Sequence, residues 1–189
     1  MQHLANWDFF ALHWINSHHN PVLDWLLLSV AFLGELSAVW VLAGVGLLIF
    51  GRGRSRATGL LLLAALLLAD LLIARPLGWV IPRDRPYLED PLLRQLGFHW
   101  SDASFPSGHA LSAVIGTILL GSEYRRWLPW LIVFALLTLY SRPYLGMHYP
   151  LDVLGGAAFG GVVGALAALI RERFWPKRDA KDEETTAAS

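Results

Sequence analysis

The sequence predicts an all-α membrane protein, a polytopic bundle with five or six transmembrane helices. Of its 189 residues, 55% are hydrophobic and only 16% are charged, and the mean hydropathy is +0.46. In soluble domains about a quarter of the residues are charged, so much of this chain is expected to face lipid. The balance of 15 acidic and 15 basic residues argues against a nucleic-acid partner. The absence of Cys excludes thiol nucleophiles and Cys-ligated metals.

Five apolar stretches between charged segments are the candidate spans, since a transmembrane helix needs about 20 mostly apolar residues. The third and fourth are short and reach this length only by continuing into a polar loop. An apolar stretch from Val22 either extends the first span backward or forms a helix of its own, so the count is five or six. The five stretches are residues 37–50, 58–81, 108–121, 128–140 and 149–170.

Basic residues set the expected orientation. Ten of the 15 Lys and Arg residues fall in three alternating segments, which the positive-inside rule places in the cytoplasm. The two remaining loops, residues 82–107 and 141–148, then face outward on the same side of the membrane. The ten are Arg52, Arg54, Arg56, Arg125, Arg126, Arg171, Arg173, Lys177, Arg178 and Lys181.

The two ends of the chain differ from its middle. Residues 1–20 combine Trp7, Phe9, Phe10 and Trp14 with polar side chains, a pattern typical of an interfacial helix. We therefore expect one integral membrane domain over residues 1–176. Residues 177–189 are charged and then small and polar, which predicts a disordered cytoplasmic tail.

The last apolar stretch carries glycine at every fourth position, at Gly156, Gly160 and Gly164. Small residues at this spacing let two helices approach closely. The pattern favours a contact inside the bundle, with a homodimer through the same face as the alternative.

The outward loops contain two arginines suited to bind an anion. Arg85 and Arg142 have permanently charged guanidinium groups that recognise phosphate or carboxylate through two hydrogen bonds at once. Ser107 and Gly108 stand where a helix is expected to begin, so unpaired backbone N–H groups there can hold phosphoryl oxygens. These residues predict a phosphate site. The same loops offer no clustered carboxylates for a metal ion, and no cofactor is expected.

Two histidines complete the predicted site. His148 and Asp152 are four residues apart, so the carboxylate is expected to reach one ring nitrogen and leave the other free as a nucleophile or base. His109 follows Gly108 and is suited to protonate a leaving oxygen. Because two spans separate the loops, His109 and His148 can converge on one face of the membrane.

These residues form motifs that resemble the type 2 phosphatidic acid phosphatases. The family signature is Lys, seven positions later Arg-Pro, then Pro-Ser-Gly-His, then Ser-Arg followed at fixed spacing by His and Asp. The chain matches it at Arg85–Pro86, at residues 106–109, and at Ser141, Arg142, His148 and Asp152.

The family lysine is absent, because Gly78 stands seven residues before Arg85. Arg83 or Arg75 is the expected substitute for this phosphate-contacting cation. Arg75 lies five residues after Asp70, so it is either half of a structural buried ion pair or a support for the site.

The undecaprenyl pyrophosphate phosphatase branch, linked to bacitracin resistance, is similar over residues 16–24, 102–107 and 148–155. It commonly has Asp where this chain has Gly108. The resemblance implies undecaprenyl diphosphate as substrate, at the outer face of a bacterial cytoplasmic membrane. Phosphatidylglycerol phosphate, phosphatidic acid and transfer to another lipid remain open. A non-catalytic carrier or scaffold that binds lipid phosphate is the alternative outside enzymes.

The resemblance also implies a fold and a mechanism. The fold is a helical core similar to that of the acid phosphatases and haloperoxidases. In the metal-independent mechanism, His148 attacks phosphorus, Asp152 orients it, and His109 protonates the departing oxygen. The residues implied to bind phosphate are Arg85, Ser107, Gly108 and Arg142, with Arg83 and Arg75 as possible support.

Overall fold

The structure is a computed structural model that describes residues 2–177, with the side chains of 6–35 and 37–177. Within this range it contains helices and no strands, which confirms the predicted all-α fold. Short 3-10 turns at Glu35–Ser37 and Arg125–Trp127 and a π-helical turn at Asp70–Ala74 join some of the helices. The helices are α1 (Gln2–Asn16), α2 (Pro21–Gly34), α3 (Ala38–Phe50), α4 (Arg54–Ala69), α5 (Arg75–Val80), α6 (Pro86–Glu89), α7 (Gly108–Glu123), α8 (Leu128–Tyr144) and α9 (Pro150–Phe174).

Two helical segments are long and apolar enough to cross a membrane. They are Arg54–Val80, which joins α4 and α5 through the π-helical turn, and Pro150–Phe174. The α2 and α3 pair, bent by 46°, makes a third if it counts as one span. Helices α7 and α8 have 16 and 17 residues, about 24–26 Å at 1.5 Å per residue. All five predicted stretches are therefore helical, and the count of five or six spans stays a prediction.

Residues 21–34 form a helix of their own, which answers the question that the sequence left open. Pro21 occupies the first turn, and the Asn20 side chain accepts a hydrogen bond from the Leu23 amide at 3.0 Å. The turn at Glu35–Ser37, where Ser37 has a φ of 57°, separates this helix from α3.

Helix α1 packs one face against the bundle and exposes its aromatic residues on the other. Asp8 and Leu12 are fully buried, whereas Phe10 and Trp14 are 71% and 59% exposed. This division is compatible with the predicted interfacial helix. The predicted tail beyond residue 177 lies outside the described residues, so the domain limits remain predictions.

Helix α7 lies at the centre of the bundle and packs most closely against α9. The glycine face of α9 makes this contact: a Cβ at Gly156 would lie 2.3 Å from the Ser107 carbonyl oxygen, and one at Gly160 would lie 2.4 Å from that of Leu111. The predicted contact inside the bundle is thus confirmed. A homodimer through the same face would have to replace this packing.

We predict that Gly160→Ala lowers the thermal unfolding midpoint, because the new methyl group would push α9 away from the Leu111 carbonyl. Overpacking of this kind costs about 1–3 kcal/mol. Gly161→Ala is the matched control, since no atom lies within 4 Å of its Cβ position. The tryptophan fluorescence of the detergent-solubilised variants reports the midpoint. Equal midpoints for the two variants would contradict the packing argument.

Candidate active site

The structure brings the motif residues of both outward loops to one end of the bundle. Arg85 precedes α6, His109 begins α7, Arg142 ends α8, and His148 lies in the connection to α9. All four line one cavity of about 770 Å³. The convergence expected from the topology is therefore present, although 39 residues separate the two histidines in the chain.

His148 is held by a backbone carbonyl group. Its Nδ1 lies 2.8 Å from the carbonyl oxygen of Ser104 and 3.9 Å from Oδ2 of Asp152. Because a carbonyl only accepts, Nδ1 carries the hydrogen and Nε2 keeps its lone pair. The expected direct bond from Asp152 to the ring is thus corrected: Ser104 lies between them, and its hydroxyl donates to Asp152 Oδ2 at 2.6 Å.

The Asp152 carboxylate is fully buried and has a hydrogen-bond donor on each oxygen. Oδ2 accepts from the Ser104 hydroxyl and, at 2.9 Å, from the Tyr149 amide. Oδ1 accepts from Nη1 of Arg83 at 2.7 Å. A carboxylate bound in this way has no freedom to rotate, so it fixes the start of α9 relative to both loops.

Arg83 points to Asp152 and does not line the cavity. Its Nη2 donates to Asp8 at 2.6 Å, so both of its terminal nitrogens are bound to carboxylates. This geometry corrects the expectation that Arg83 replaces the missing lysine at the phosphate. Its support for the site runs through Asp152.

Arg75 remains the candidate for a third cation. It forms a 2.8 Å ion pair with Asp70, and both residues line the cavity. The pair is more than half exposed on the Arg75 side, which corrects the expectation of a buried pair. Gly78, which stands at the position of the family lysine, also lines the cavity.

Arg85 and Arg142 supply positive charge next to His148. Arg85 is 5% exposed, and its Nη1 lies 3.3 Å from Nε2 of His148, while Nη2 binds the exposed Asp102 at 2.6 Å. Arg142 is 3% exposed, and its Nε is buried with no hydrogen-bond partner among the described residues. Burial, together with these two cations, holds the pKa of His148 well below its ordinary value. The neutral form of the ring is therefore favoured, and its unprotonated Nε2 accepts from Nη1 of Arg85 inside the cavity.

His109 also lines the cavity and packs against Gly34. Its Nε2 is 3.6 Å from Oε2 of Glu35, in the turn between α2 and α3. His109 therefore shares the cavity with His148, and its role as an acid stays a prediction.

Ser107 and Gly108 form the start of α7, as predicted, but only Gly108 lines the cavity. The Ser107 hydroxyl is fully buried and accepts from the Ala110 amide at 3.5 Å, which makes it the helix cap. This contact leaves the hydroxyl hydrogen available for donation, and the role of Ser107 as a phosphate ligand stays a prediction. A Cβ at Gly108 would meet no atom within 4 Å, so a ligand can approach its amide closely.

Sequence reasoning did not assign Ser104, Asp8 or Asp102 to the site. Ser104 and Asp102 stand just before the Pro-Ser-Gly-His motif, and their proximity to it was the available signal. Asp8 is an acidic residue in an aromatic helix, and nothing in the sequence connects it to Arg83. Among the described side chains, no group of three or more His, Asp or Glu residues is placed to hold a metal ion.

The chain is similar to several known proteins. Residues 58–176 match the PAP2 superfamily. The chain is 34% identical to undecaprenyl-diphosphatase BcrC of Bacillus subtilis, over 85% of this chain and 81% of the relative. It is 32% identical to a putative undecaprenyl-diphosphatase, YbjG, of Escherichia coli, over 87% and 81%. The crystal structure of a transmembrane PAP2-type phosphatidylglycerolphosphate phosphatase from Bacillus subtilis superposes with a TM-score of 0.75 at 26% identity, over 94% of this chain and 90% of that one.

We predict that His148 is neutral, with its hydrogen on Nδ1, at about pH 6, because its pKa lies below the ordinary 6.5. Nitrogen-15 NMR of the histidine rings in detergent measures both properties, and the spectrum of His148→Asn assigns the signals. Arg85→Gln should raise this pKa, since it removes a cation that disfavours the imidazolium. A His148 ring that is protonated at this pH, or that carries its hydrogen on Nε2, would contradict the described geometry.

Proposed function

The chain belongs to the PAP2 superfamily and is a membrane lipid phosphatase, and we propose that it converts undecaprenyl diphosphate to undecaprenyl phosphate through a phosphohistidine intermediate. One observation carries the proposal. The unprotonated Nε2 of the buried His148 accepts from Arg85 and lies near Arg142, in a cavity that His109 also lines. A nucleophile, an anion site and an acid are the groups that phosphoryl transfer requires.

In the proposed reaction, Nε2 of His148 attacks the terminal phosphorus. A nitrogen–phosphorus bond forms as the bond from phosphorus to the bridging oxygen breaks. His109 donates a proton to that oxygen, and undecaprenyl phosphate leaves. Water then attacks the phosphohistidine, with His109 accepting its proton, which releases inorganic phosphate and restores both histidines.

Arg85, Arg142 and the Gly108 amide are proposed to bind the three phosphoryl oxygens. The two guanidinium groups are already buried beside His148, so they need no rearrangement as charge develops in the transition state. We propose that this fixed positive charge takes the place that a divalent metal occupies in other phosphatases. Arg75 is proposed to contact the second phosphate from the cavity wall.

The walls of the cavity support a lipid substrate. Beyond the cationic end, the cavity continues along apolar side chains of α3 and α4, among them Val41, Leu63 and Leu67. A second, largely apolar cavity of about 590 Å³ shares Glu35, Arg142 and Met147 with the first. A substrate with its phosphate at the cations and its hydrocarbon tail on these surfaces satisfies both environments.

We propose that the site faces the periplasm or exterior of a bacterial cytoplasmic membrane. The other end of the bundle carries the basic segments, and there Arg54 pairs with Glu123 at 2.7 Å. The positive-inside rule assigns that end to the cytoplasm. A second candidate substrate is phosphatidylglycerol phosphate, since a phosphatidylglycerolphosphate phosphatase shares the fold closely.

We predict that His148→Asn abolishes phosphate release while leaving the thermal midpoint unchanged, because it removes the nucleophile in a site that the scaffold holds. Rapid alkaline quench of the enzyme with substrate labelled in its terminal phosphate should show a base-stable, acid-labile phosphoryl label in the native chain and none in the variant. His18→Asn is the control, since His18 is exposed and does not line the cavity. Turnover by His148→Asn above a few per cent of the native rate would refute the nucleophile assignment.

The substrate and the metal requirement are tested together in detergent micelles. We expect phosphate release in excess EDTA, with undecaprenyl diphosphate preferred over phosphatidylglycerol phosphate and phosphatidic acid in kcat/KM. The reason is that only in the diphosphate is a second phosphate bonded directly, through the bridging oxygen, to the phosphate that is attacked, and we propose that Arg75 contacts this second phosphate. Complete loss of activity in EDTA would refute metal independence, and a preference for a monophosphate would refute the proposed substrate.

A further inference from the structure

Asp8 of α1 is a fully buried acid that neither the family motifs nor the matched region, residues 58–176, include. Its Oδ2 accepts from Nη2 of Arg83 at 2.6 Å. Its Oδ1 accepts from the Leu151 amide at 2.8 Å, in the first turn of α9. Both contacts join α1 to segments more than 70 residues away in the chain.

Arg83 connects Asp8 to the centre of the site. Its two terminal nitrogens bind Asp8 and Asp152, and the Tyr149 ring lies against its guanidinium, with Cζ 3.7 Å from the ring centroid. Contacts in the plane and on the face of the guanidinium leave it one orientation. A displacement of Asp8 would therefore move Arg83, and with it Oδ1 of Asp152.

Asp8 also reaches Asp152 by a second route. The Leu151 amide donates to the Asp8 carboxylate, and Leu151 immediately precedes Asp152. Asp8 therefore also fixes the backbone next to Asp152. A negative charge in the first turn of a helix is also favourable because of the helix dipole. The side chain and the backbone of Asp152 are thus both held from α1.

We propose that Asp8 is a positioning residue for phosphoryl transfer: through Arg83 and the first turn of α9 it holds Asp152, which fixes Ser104 and the ring of His148. This inference rests on the proposed function. It makes α1 part of the active site, in addition to any interaction of its aromatic face with the membrane.

The charges support this role. The two buried carboxylates of Asp8 and Asp152 share the single guanidinium of Arg83, and Asp152 lies on the Nδ1 side of the His148 ring. His148 gains positive charge when its Nε2 bonds to phosphorus, while Arg85 and Arg142 next to it disfavour that charge. Loss of the Asp8 charge should therefore affect the transition state more than substrate binding.

The test compares Asp8→Asn with the native chain. Asparagine keeps an oxygen for the Leu151 amide and loses the ion pair with Arg83. We expect kcat to fall by between about tenfold and a hundredfold, with KM within about twofold because the residues proposed to bind phosphate are untouched. Asp8→Glu, which retains the charge, should recover part of the loss.

Glu123→Gln is the matched control. Glu123 is also a largely buried carboxylate in an ion pair, with Arg54 at 2.7 Å, but at the opposite end of the bundle. It should lower the thermal midpoint without changing kcat. The double variant Asp8→Asn with Arg83→Gln should be no slower than Arg83→Gln alone, because asparagine keeps the contact with the Leu151 amide and loses only the link through Arg83.

The outcomes separate this inference from the proposed function. An inactive His148→Asn together with an Asp8→Asn of native kcat overturns the role of Asp8 alone, whereas an active His148→Asn overturns the proposed function. If Asp8→Asn does not fold, Arg83→Lys tests the same link, because an ammonium group cannot bridge two carboxylates in one plane. Native kcat in Arg83→Lys overturns the inference as well.

Discussion

The carboxylate of Asp152 is the group on which the outer end of the bundle depends. It receives hydrogen bonds from the loop before α7, through Ser104, from the start of α9, through the Tyr149 amide, and from the loop after α5, through Arg83. A fully buried carboxylate is costly unless each oxygen is paired. These three segments therefore have one favourable arrangement, and in that arrangement the Ser104 carbonyl sets the tautomer of His148.

The two arginines near His148 differ from Asp152 in that they disfavour positive charge on the ring. Arg85 and Arg142 are buried beside a neutral ring, and Nε of Arg142 has no hydrogen-bond partner among the described residues. Positive charge held in this way is stabilised when a phosphoryl group enters. The site thus has a carboxylate, Asp152, on the Nδ1 side of His148 and two arginines on the Nε2 side. This distribution of charge suits a nucleophile that becomes positively charged as it attacks an anion.

Helix packing connects the site to the rest of the fold. Because Gly156 has no side chain, α9 lies against the Ser107 carbonyl, and the Ser107 amide donates to the Asp152 carbonyl at 3.0 Å. The Pro-Ser-Gly-His motif and the His-Asp motif are thereby joined through backbone atoms. The glycines whose spacing predicted close helix packing therefore also set the distance between His109, the proposed acid, and His148, the proposed nucleophile.

Hydropathy, glycine spacing and the motif residues determined the class of fold, the helical stretches, the close face of α9 and the convergence of Arg85, His109, Arg142 and His148. These features are local or follow from topology, so one sequence contains them. The tertiary structure decided that Ser104 holds His148 and that Arg83 bridges Asp8 and Asp152, across separations of 44, 75 and 69 residues. Every residue has a backbone carbonyl, so a contact through that group cannot be predicted from residue types. An arginine between helices has many possible partners, and only tertiary packing selects two carboxylates among them.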